Sequence, residues 1–76
     1  MNEIMDILKR LHPEYEYDTS DDFIEDGLLD SFDVISLVSE IEEVFNVQIK
    51  GVDILPENFS SAERIAEIII KCGGIV

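Results

Sequence analysis

The amino-acid sequence predicts an all-α protein, a small four-helix bundle made of three longer helices and one short third helix. Two observations support this fold class. Apolar residues recur with helical spacing in three separate segments, and the stretches between these segments show no pattern typical of a β-strand. Because the chain has 76 residues, which is the length of one domain, we expect a single domain over 1–76.

The first helix is predicted over residues 2–11. Its apolar face has the spacing i, i+3, i+4 and i+7 and consists of Ile4, Ile7, Leu8 and Leu11. The helix is expected to end at His12-Pro13, because a residue that precedes proline is disfavoured in the α conformation.

A long loop is predicted over residues 13–30, between the first two helices. Loops of this length are uncommon in compact domains and tend to be functional or held by their own side chains. Four apolar residues are candidate anchors: Phe23, Ile24, Leu28 and Leu29. Gly27 is the expected turn position.

The second helix is predicted over residues 31–45, and its surface has two sides. Successive residues advance by about 100°, and six apolar side chains then fall within an arc of roughly 120° that should face the core. They are Val34, Leu37, Val38, Ile41, Val44 and Phe45. The opposite side contains Asp33, Ser36, Glu40 and Glu43. Phe32 falls on this polar side, where packing alone does not require an aromatic residue. Ile35 falls at the margin of the stripe.

The last part of the chain is predicted to contain a short helix over residues 53–58 and a final helix over about 61–72. Gly51 and Pro56 interrupt the segment around the short helix. The final helix should open with a capping box formed by Ser60 and Glu63. Its inner face comprises Ile65, Ile68, Ile69 and Cys72, and Gly73-Gly74 should end it.

The net charge excludes some classes of binding partner. Eighteen acidic residues against five basic ones give a net charge of −13. Nucleic acids and anionic membranes are bound through basic surfaces, so neither is an expected partner. We expect partners with basic patches instead, or a cation held by the acidic residues.

Several features indicate a cytoplasmic protein without a membrane span, and we expect it to be a monomer. A single cysteine excludes an internal disulfide and fits a reducing compartment. The first ten residues lack the basic-then-apolar order of a signal peptide. The longest aliphatic run, residues 68–70, is far too short to cross a bilayer.

The sequence offers little for catalysis or metal binding. The one histidine, His12, is distant in sequence from Ser31, which argues against a catalytic triad, and a helix C-terminus suits it through the macrodipole. Cys72 lies on a core-facing stripe, where we expect it to fill space. One cysteine and one histidine do not make a zinc site. We therefore predict no catalytic residue and no metal ligand.

Calcium requires a separate check, because the segment DFIEDGLLDSFD partly matches an EF-hand loop. Acidic residues or glycine occupy positions 1, 5, 6, 9 and 12, namely Asp22, Asp26, Gly27, Asp30 and Asp33. However, position 3 is Ile24, which has no side-chain oxygen, and position 12 is Asp instead of the longer Glu. An EF-hand is not expected, but weak binding of divalent cations by clustered carboxylates stays open.

Ser31 has two interpretations. It can be a cap for the second helix, although Asp30 can fill that role by itself. It can also be a modified residue, because a hydroxyl at a helix N-terminus suits a phosphodiester whose charge the helix dipole favours. Phe32 and Ile35 place apolar surface beside this hydroxyl, on a side that is otherwise acidic.

The segment DGLLDSFDVISLVSEIEEVFNVQI resembles the central part of acyl carrier proteins, which have an Asp-Ser-Leu motif at the start of their second helix. The resemblance covers nearly the whole chain, with the short third helix at DILPENF and the last helix from SSAERIAEII. It implies that Ser31 bears a 4'-phosphopantetheine arm, transferred from coenzyme A by a phosphopantetheinyl transferase that recognises Asp30. Phe32 replaces the motif leucine at a position that partners touch.

By this resemblance, residues 1–76 form one carrier domain that is not an enzyme. The arm holds an acyl or aminoacyl group as a thioester and carries it between biosynthetic enzymes. The expected partners are the transferase and the loading and condensing enzymes with basic patches. The residues expected to contact them are Phe32, Asp33, Ile35, Glu40 and Glu43.

Besides Phe32, the sequence departs from fatty-acid carriers at two more positions, where Ser36 and Val44 stand in place of common glutamates. A specialised pathway is therefore favoured over primary fatty-acid synthesis. The stretch GLLDSF is also similar to D-alanyl carrier proteins and to carriers of polyketide or nonribosomal peptide pathways. The alternative hypothesis is an acidic helical adaptor or divalent-cation module in which Ser31 is only a cap.

Overall fold

A computed structural model describes residues 2–76, with the backbone alone for Asn2. The three α-helices are α1 (Asn2–Leu11), α2 (Ser31–Phe45) and α3 (Ala62–Lys71). Three short 3-10 helices lie between them, at Tyr17–Thr19, Gly51–Asp53 and Pro56–Phe59. Residues 2–76 contain no β-strand, and the predicted all-α bundle is confirmed. The count of four α-helices is not confirmed.

The segment predicted as a short third helix, 53–58, contains parts of two 3-10 helices instead. Pro56 has no N–H and is tolerated only in the first turn of a helix. It therefore starts the second 3-10 helix and prevents one continuous helix across the segment.

The core lies where α1, α2 and α3 meet, and the long loop closes over it. Its fully buried side chains are Ile4, Ile7, Leu8, Leu37, Ile41, Phe59, Ile65 and Ile69. The loop anchors predicted from sequence are confirmed, since Phe23 and Leu29 are buried while Ile24 and Leu28 pack against the core. Gly27 takes the predicted turn position with φ of +75°.

The loop is also held by hydrogen bonds from its backbone. The N–H of Phe23 donates to the carbonyl of Ser60 at 2.6 Å, which joins the loop to the segment before α3. The N–H groups of Leu28 and Leu29 both donate to the carbonyl of Phe23, at 2.8 and 3.1 Å. The chain is thus fixed close to the residue where α2 begins.

The core stripe of α2 is shorter than the sequence predicts. Val34, Leu37, Val38 and Ile41 are buried, but Val44 is 43% exposed and Phe45 is only partly buried. With 15 residues, α2 is about 22 Å long, while the 10 residues of α1 span about 15 Å. The shorter helix cannot cover the whole of α2, which is consistent with the exposure of its last turn.

The capping box predicted for the last helix is wrong. Ser61 is the N-cap of α3, and its side chain accepts a hydrogen bond from the N–H of Arg64 at 3.1 Å. Ser60 has an α-helical backbone conformation after the preceding 3-10 helix, and its hydroxyl donates to the carbonyl of Glu57 at 3.0 Å. Its side chain is therefore used by the segment before α3.

The predicted stop at Gly73-Gly74 is confirmed, because the helix ends at Lys71 and is capped by Cys72, directly before these glycines. Gly73 has φ of +91°, and its N–H donates to the carbonyl of Ile70. The N–H of Gly74 donates to the carbonyl of Ile69 at 2.8 Å. This pair of bonds is a Schellman motif, which satisfies carbonyls that the helix end leaves free.

Candidate functional site

The candidate site is the first turn of α2, where two aspartates fix the backbone. Asp30 is the N-cap, and its Oδ1 accepts a hydrogen bond from the N–H of Asp33 at 2.9 Å. In return, Oδ2 of Asp33 accepts from the N–H of Asp30 at 3.1 Å. This reciprocal capping box satisfies one N–H inside the helix and one before it. Asp30 therefore caps the helix by itself, as the sequence allows.

Ser31, between the two aspartates, is the first residue of α2 and is exposed. Its hydroxyl has no hydrogen-bond partner within residues 2–76. The N–H groups of Ser31 and Phe32 belong to the first turn, where no carbonyl of the helix can accept them. A free hydroxyl, two free amides and the positive end of the helix dipole are a chemical environment that suits a phosphodiester.

Apolar surface adjoins this hydroxyl. Phe32 is 81% exposed and Ile35 is 63% exposed, which are high values for large apolar side chains. A recess of about 210 Å³ lies beside Ile35 and is lined by Ser31, Val34, Ile35, Ile54 and Pro56. The sequence-based position of Phe32 outside the core is confirmed.

The other residues predicted to contact partners differ in their surroundings. Glu43 is exposed. Glu40 is partly exposed, and its Oε2 lies 3.9 Å from Nη2 of Arg10 on α1. Asp33 points inward, since its side chain is only 19% exposed and its Oδ1 lies 2.9 Å from Nε2 of His12. These five residues therefore do not form one uniformly exposed surface.

His12 is the residue of this site that sequence reasoning missed. The sequence places it only at the end of α1, 21 positions from Asp33. No spacing rule relates residues so far apart, and the pair forms only when α1 packs beside α2. The nearest indication in the sequence is the histidine before Pro13, which marks the end of a helix without identifying a partner.

The pair changes the pKa of both members. The hydrogen bond to Asp33 is the main cause that raises the pKa of His12 above 6.5, although partial burial opposes it. Burial alone would raise the pKa of Asp33, but the hydrogen bonds from His12 and from the N–H of Asp30 outweigh it and lower the pKa below 3.8. Both shifts favour the imidazolium–carboxylate form near neutral pH.

Two acidic residues of the loop, Asp22 and Asp26, accept local hydrogen bonds. Oδ1 of Asp22 accepts from the N–H groups of Ile24 and Glu25 at 3.0 Å each. Oδ2 of Asp26 accepts from the hydroxyl of Ser20 at 2.6 Å. In the part of the chain that the structure describes, no group of three His, Cys, Asp or Glu residues could hold a metal ion. The clustered carboxylates considered for calcium are therefore not found there.

Other candidate chemistry is not assembled around Ser31. His12 is hydrogen-bonded to Asp33 and lies 3.5 Å from Glu14, and neither contact involves the serine hydroxyl. Cys72 is a free thiol, partly buried against the core as predicted. No helix within residues 2–76 is long and apolar enough to cross a membrane.

A comparison with models of known protein families gives a match. A family model described as phosphopantetheine attachment site matches residues 1–69, which is most of the chain. No curated protein and no solved structure gives a significant match.

Proposed function

Because this chain belongs to the phosphopantetheine attachment site family, we propose that the hydroxyl of Ser31 is the point at which its arm is attached. The chain is a carrier protein, and it is not an enzyme. Its cofactor is covalent 4'-phosphopantetheine. When attached, this group supplies a thiol that holds a cargo as a thioester.

The main support for Ser31 as the attachment site is that Asp30 and Ser31 have different roles at the start of α2. Asp30 caps α2, so the exposed hydroxyl of Ser31 is not needed for the helix and is free to react. The residues present fit the group, since the free amides of the first turn can face a phosphodiester and the recess beside Ile35 offers apolar surface to an arm.

The proposed modification is a transfer from coenzyme A catalysed by a phosphopantetheinyl transferase. The Ser31 oxygen forms a bond to phosphorus, the pyrophosphate bond of coenzyme A breaks, and adenosine 3',5'-bisphosphate leaves. The hydroxyl proton goes to a base of the transferase. Asp30, exposed next to the serine, is the residue that we expect the transferase to recognise.

Intact mass spectrometry tests the attachment site. The purified apo-protein is incubated with a transferase and coenzyme A, and the adduct is mapped by peptide fragmentation. We expect one phosphopantetheine on the wild-type protein and none on Ser31→Ala. Ser39→Ala is the matched control, because Ser39 is also an exposed serine of α2 and should leave modification unchanged. Equal modification of Ser31→Ala would exclude this serine.

The proposed partners are acyl- or aminoacyl-loading enzymes and condensing enzymes with basic patches. The net charge of −13 supports such partners, because complementary charge accelerates encounter. Phe32, Ile35 and Glu43 are exposed on α2 and would form the main contacts. Glu40 contributes its partly exposed carboxylate, and Asp33 contributes through the shape of the first turn.

We further propose that the cargo belongs to a specialised pathway and not to primary fatty-acid synthesis. Ser36 and Val44 are exposed, so the absence of glutamate at these positions lowers the acidity of the surface that partners reach. Loading by the malonyl transferase of fatty-acid synthesis should therefore be slow, and the double change of Ser36 and Val44 to Glu should accelerate it. Rapid malonyl loading of the wild-type protein, without improvement in the double variant, would contradict this proposal.

A further inference from the structure

We propose that His12 is a positioning residue for the modification of Ser31, which it influences through Asp33, and that its protonated form holds the first turn of α2 better than its neutral form. This inference rests on the proposed function, since it takes Ser31 as the attachment site. It adds a residue that directly follows α1, 19 positions earlier in the chain, to the set that controls the transfer.

The geometry is a continuous chain of hydrogen bonds that ends beside Ser31. Oδ1 of Asp33 accepts from Nε2 of His12 at 2.9 Å, and Oδ2 accepts from the N–H of Asp30 at 3.1 Å. Asp30 in turn accepts from the N–H of Asp33 at 2.9 Å. Both oxygens of Asp33 are thus held, which fixes its rotamer. Without His12 the carboxylate can rotate and leave the N–H of Asp30 without its acceptor.

His12 can act as an anchor because it is itself held at the end of α1. Its N–H donates to the carbonyl of Leu8 at 3.0 Å, and its carbonyl accepts from the N–H of Tyr15 at 3.2 Å. The centroid of its ring lies 5.0 Å from that of Tyr15. Leu8 is fully buried in the core. The imidazole therefore has a fixed position relative to the core. Through its hydrogen bond to Asp33, it also restrains the Asp30–Ser31 segment.

The groups that face His12 favour its charged form. Asp33 approaches Nε2 from α2, and Oε2 of Glu14 lies 3.5 Å from Nδ1 on the loop side. Tyr15 faces the ring, and the nearby Tyr17 stays neutral because burial raises its pKa to about 12. A neutral ring that still donates from Nε2 would present a lone pair at Nδ1 to the Glu14 carboxylate. It would also lose the strength of a charge-assisted bond to Asp33.

The test compares initial rates of phosphopantetheine transfer to the apo-protein, measured as kcat/KM. His12→Gln keeps an N–H donor at a similar distance from the backbone but has no charge, whereas His12→Ala removes both. We expect His12→Ala to lower kcat/KM by about tenfold, within the range of up to ~100-fold that misplacement of a reacting group by about 1 Å can cost. His12→Gln should fall between this variant and the wild type.

Lys9→Gln is the matched control. It removes one positive charge from an exposed position in the last turn of α1. It does not touch the first turn of α2 or the residues proposed to contact partners, so kcat/KM should stay at the wild-type value. Circular dichroism at the assay temperature checks that each variant is folded. If His12→Ala does not fold, the comparison of His12→Gln with the wild type still tests the proposal.

The pH profile separates positioning from a merely structural role. The ratio of kcat/KM between the wild type and His12→Gln cancels the pH dependence of the transferase itself. From about pH 6 to about pH 9 this ratio should start above 1 and fall towards 1, because His12 loses its proton at a pKa above the ordinary 6.5.

A ratio of 1 at every pH would overturn the inference while leaving Ser31 as the attachment site. A ratio above 1 that does not change with pH would also overturn it, because the imidazolium would then have no special role. Absence of transfer to the wild-type protein would instead contradict the proposed function, and this inference with it.

Discussion

Asp30 and Asp33 bind each other's backbone amides across Ser31, with oxygen–nitrogen distances of 2.9 and 3.1 Å. Helix α2 therefore begins without help from the serine between them. This arrangement leaves an exposed hydroxyl at a helix N-terminus without making the fold depend on it. The attachment that we propose at Ser31 needs both properties, since the serine must be accessible to another enzyme while the helix that presents it stays intact.

The first prediction follows from this capping box. Ser31→Ala should change the free energy of unfolding by no more than about 0.5 kcal/mol, as is usual for a surface residue without partners. Asp30→Ala should cost about 1 kcal/mol, because it removes the cap from the N–H of Asp33. Urea unfolding monitored by circular dichroism measures both. A larger cost for Ser31→Ala than for Asp30→Ala would mean that the serine is the true cap.

The second prediction contrasts the two sides of α2. Phe32 is 81% exposed, so Phe32→Ala should leave the free energy of unfolding within about 0.5 kcal/mol of the wild type. Leu37 is fully buried, and Leu37→Ala should cost about 2–5 kcal/mol through lost burial and a cavity. Chemical denaturation checks the pair. If Phe32→Ala were as destabilising as Leu37→Ala, Phe32 would have to pack against the core.

Much of the architecture could be predicted from local sequence patterns. The bounds of α1 and α2 agree with the apolar periodicity, and the loop anchors Phe23 and Leu29 are buried. These features depend on contacts between near neighbours in sequence or on burial of isolated apolar residues in a polar loop. Both kinds of feature can be recognised from the amino-acid sequence.

The features that could not be predicted depend on how the helices meet. Val44 belongs to the periodic stripe, but its exposure depends on how far the neighbouring helices reach. Ser60 and Ser61 are equally good caps by type, and the preceding 3-10 helix decides between them. The bond between His12 and Asp33 requires the packing of α1 on α2. In each case the cause is tertiary geometry that a local pattern does not contain.

The third prediction concerns the close approach of the chain end to the core at Gly74. A Cβ added there would lie 2.5 Å from Cγ2 of Ile69 and 2.9 Å from Cγ1 of Val47. Gly74→Ala should therefore lower the free energy of unfolding by about 1–3 kcal/mol, the usual cost of overpacking. Gly51→Ala is the control, because a Cβ there meets no atom within 4 Å. Equal stability of the two variants would show that the chain end can move away freely.

The last prediction is the pH dependence of stability, in which His12 and Asp33 have opposite signs. The pKa of His12 is raised above 6.5, so its contribution is complete below that value and is lost as pH rises through the folded-state pKa. The pKa of Asp33 is lowered below 3.8, so its contribution is present above that value and is lost as pH falls through the folded-state pKa. The pair therefore stabilises the protein most in the mildly acidic range.

Repulsion among the acidic residues acts in the same direction near neutrality. With a net charge of −13, repulsion is stronger in the compact state than in the unfolded chain, and it weakens as acidification lowers the net negative charge. The melting temperature should therefore rise from about pH 8.5 to about pH 6. His12→Gln separates the two causes, because it keeps the general repulsion and loses the titrating ring.

We expect the melting temperature of His12→Gln to rise less than that of the wild type. The corresponding difference in the free energy of unfolding should be up to about 1 kcal/mol, which is the upper end for partly exposed pairs. Thermal melts of both proteins over this range, at low salt and in sodium chloride, measure the difference. Salt should weaken the general repulsion more than the 2.9 Å contact between His12 and Asp33, so the difference between the proteins should persist. An identical rise in both proteins would assign the whole effect to the general repulsion and none to His12.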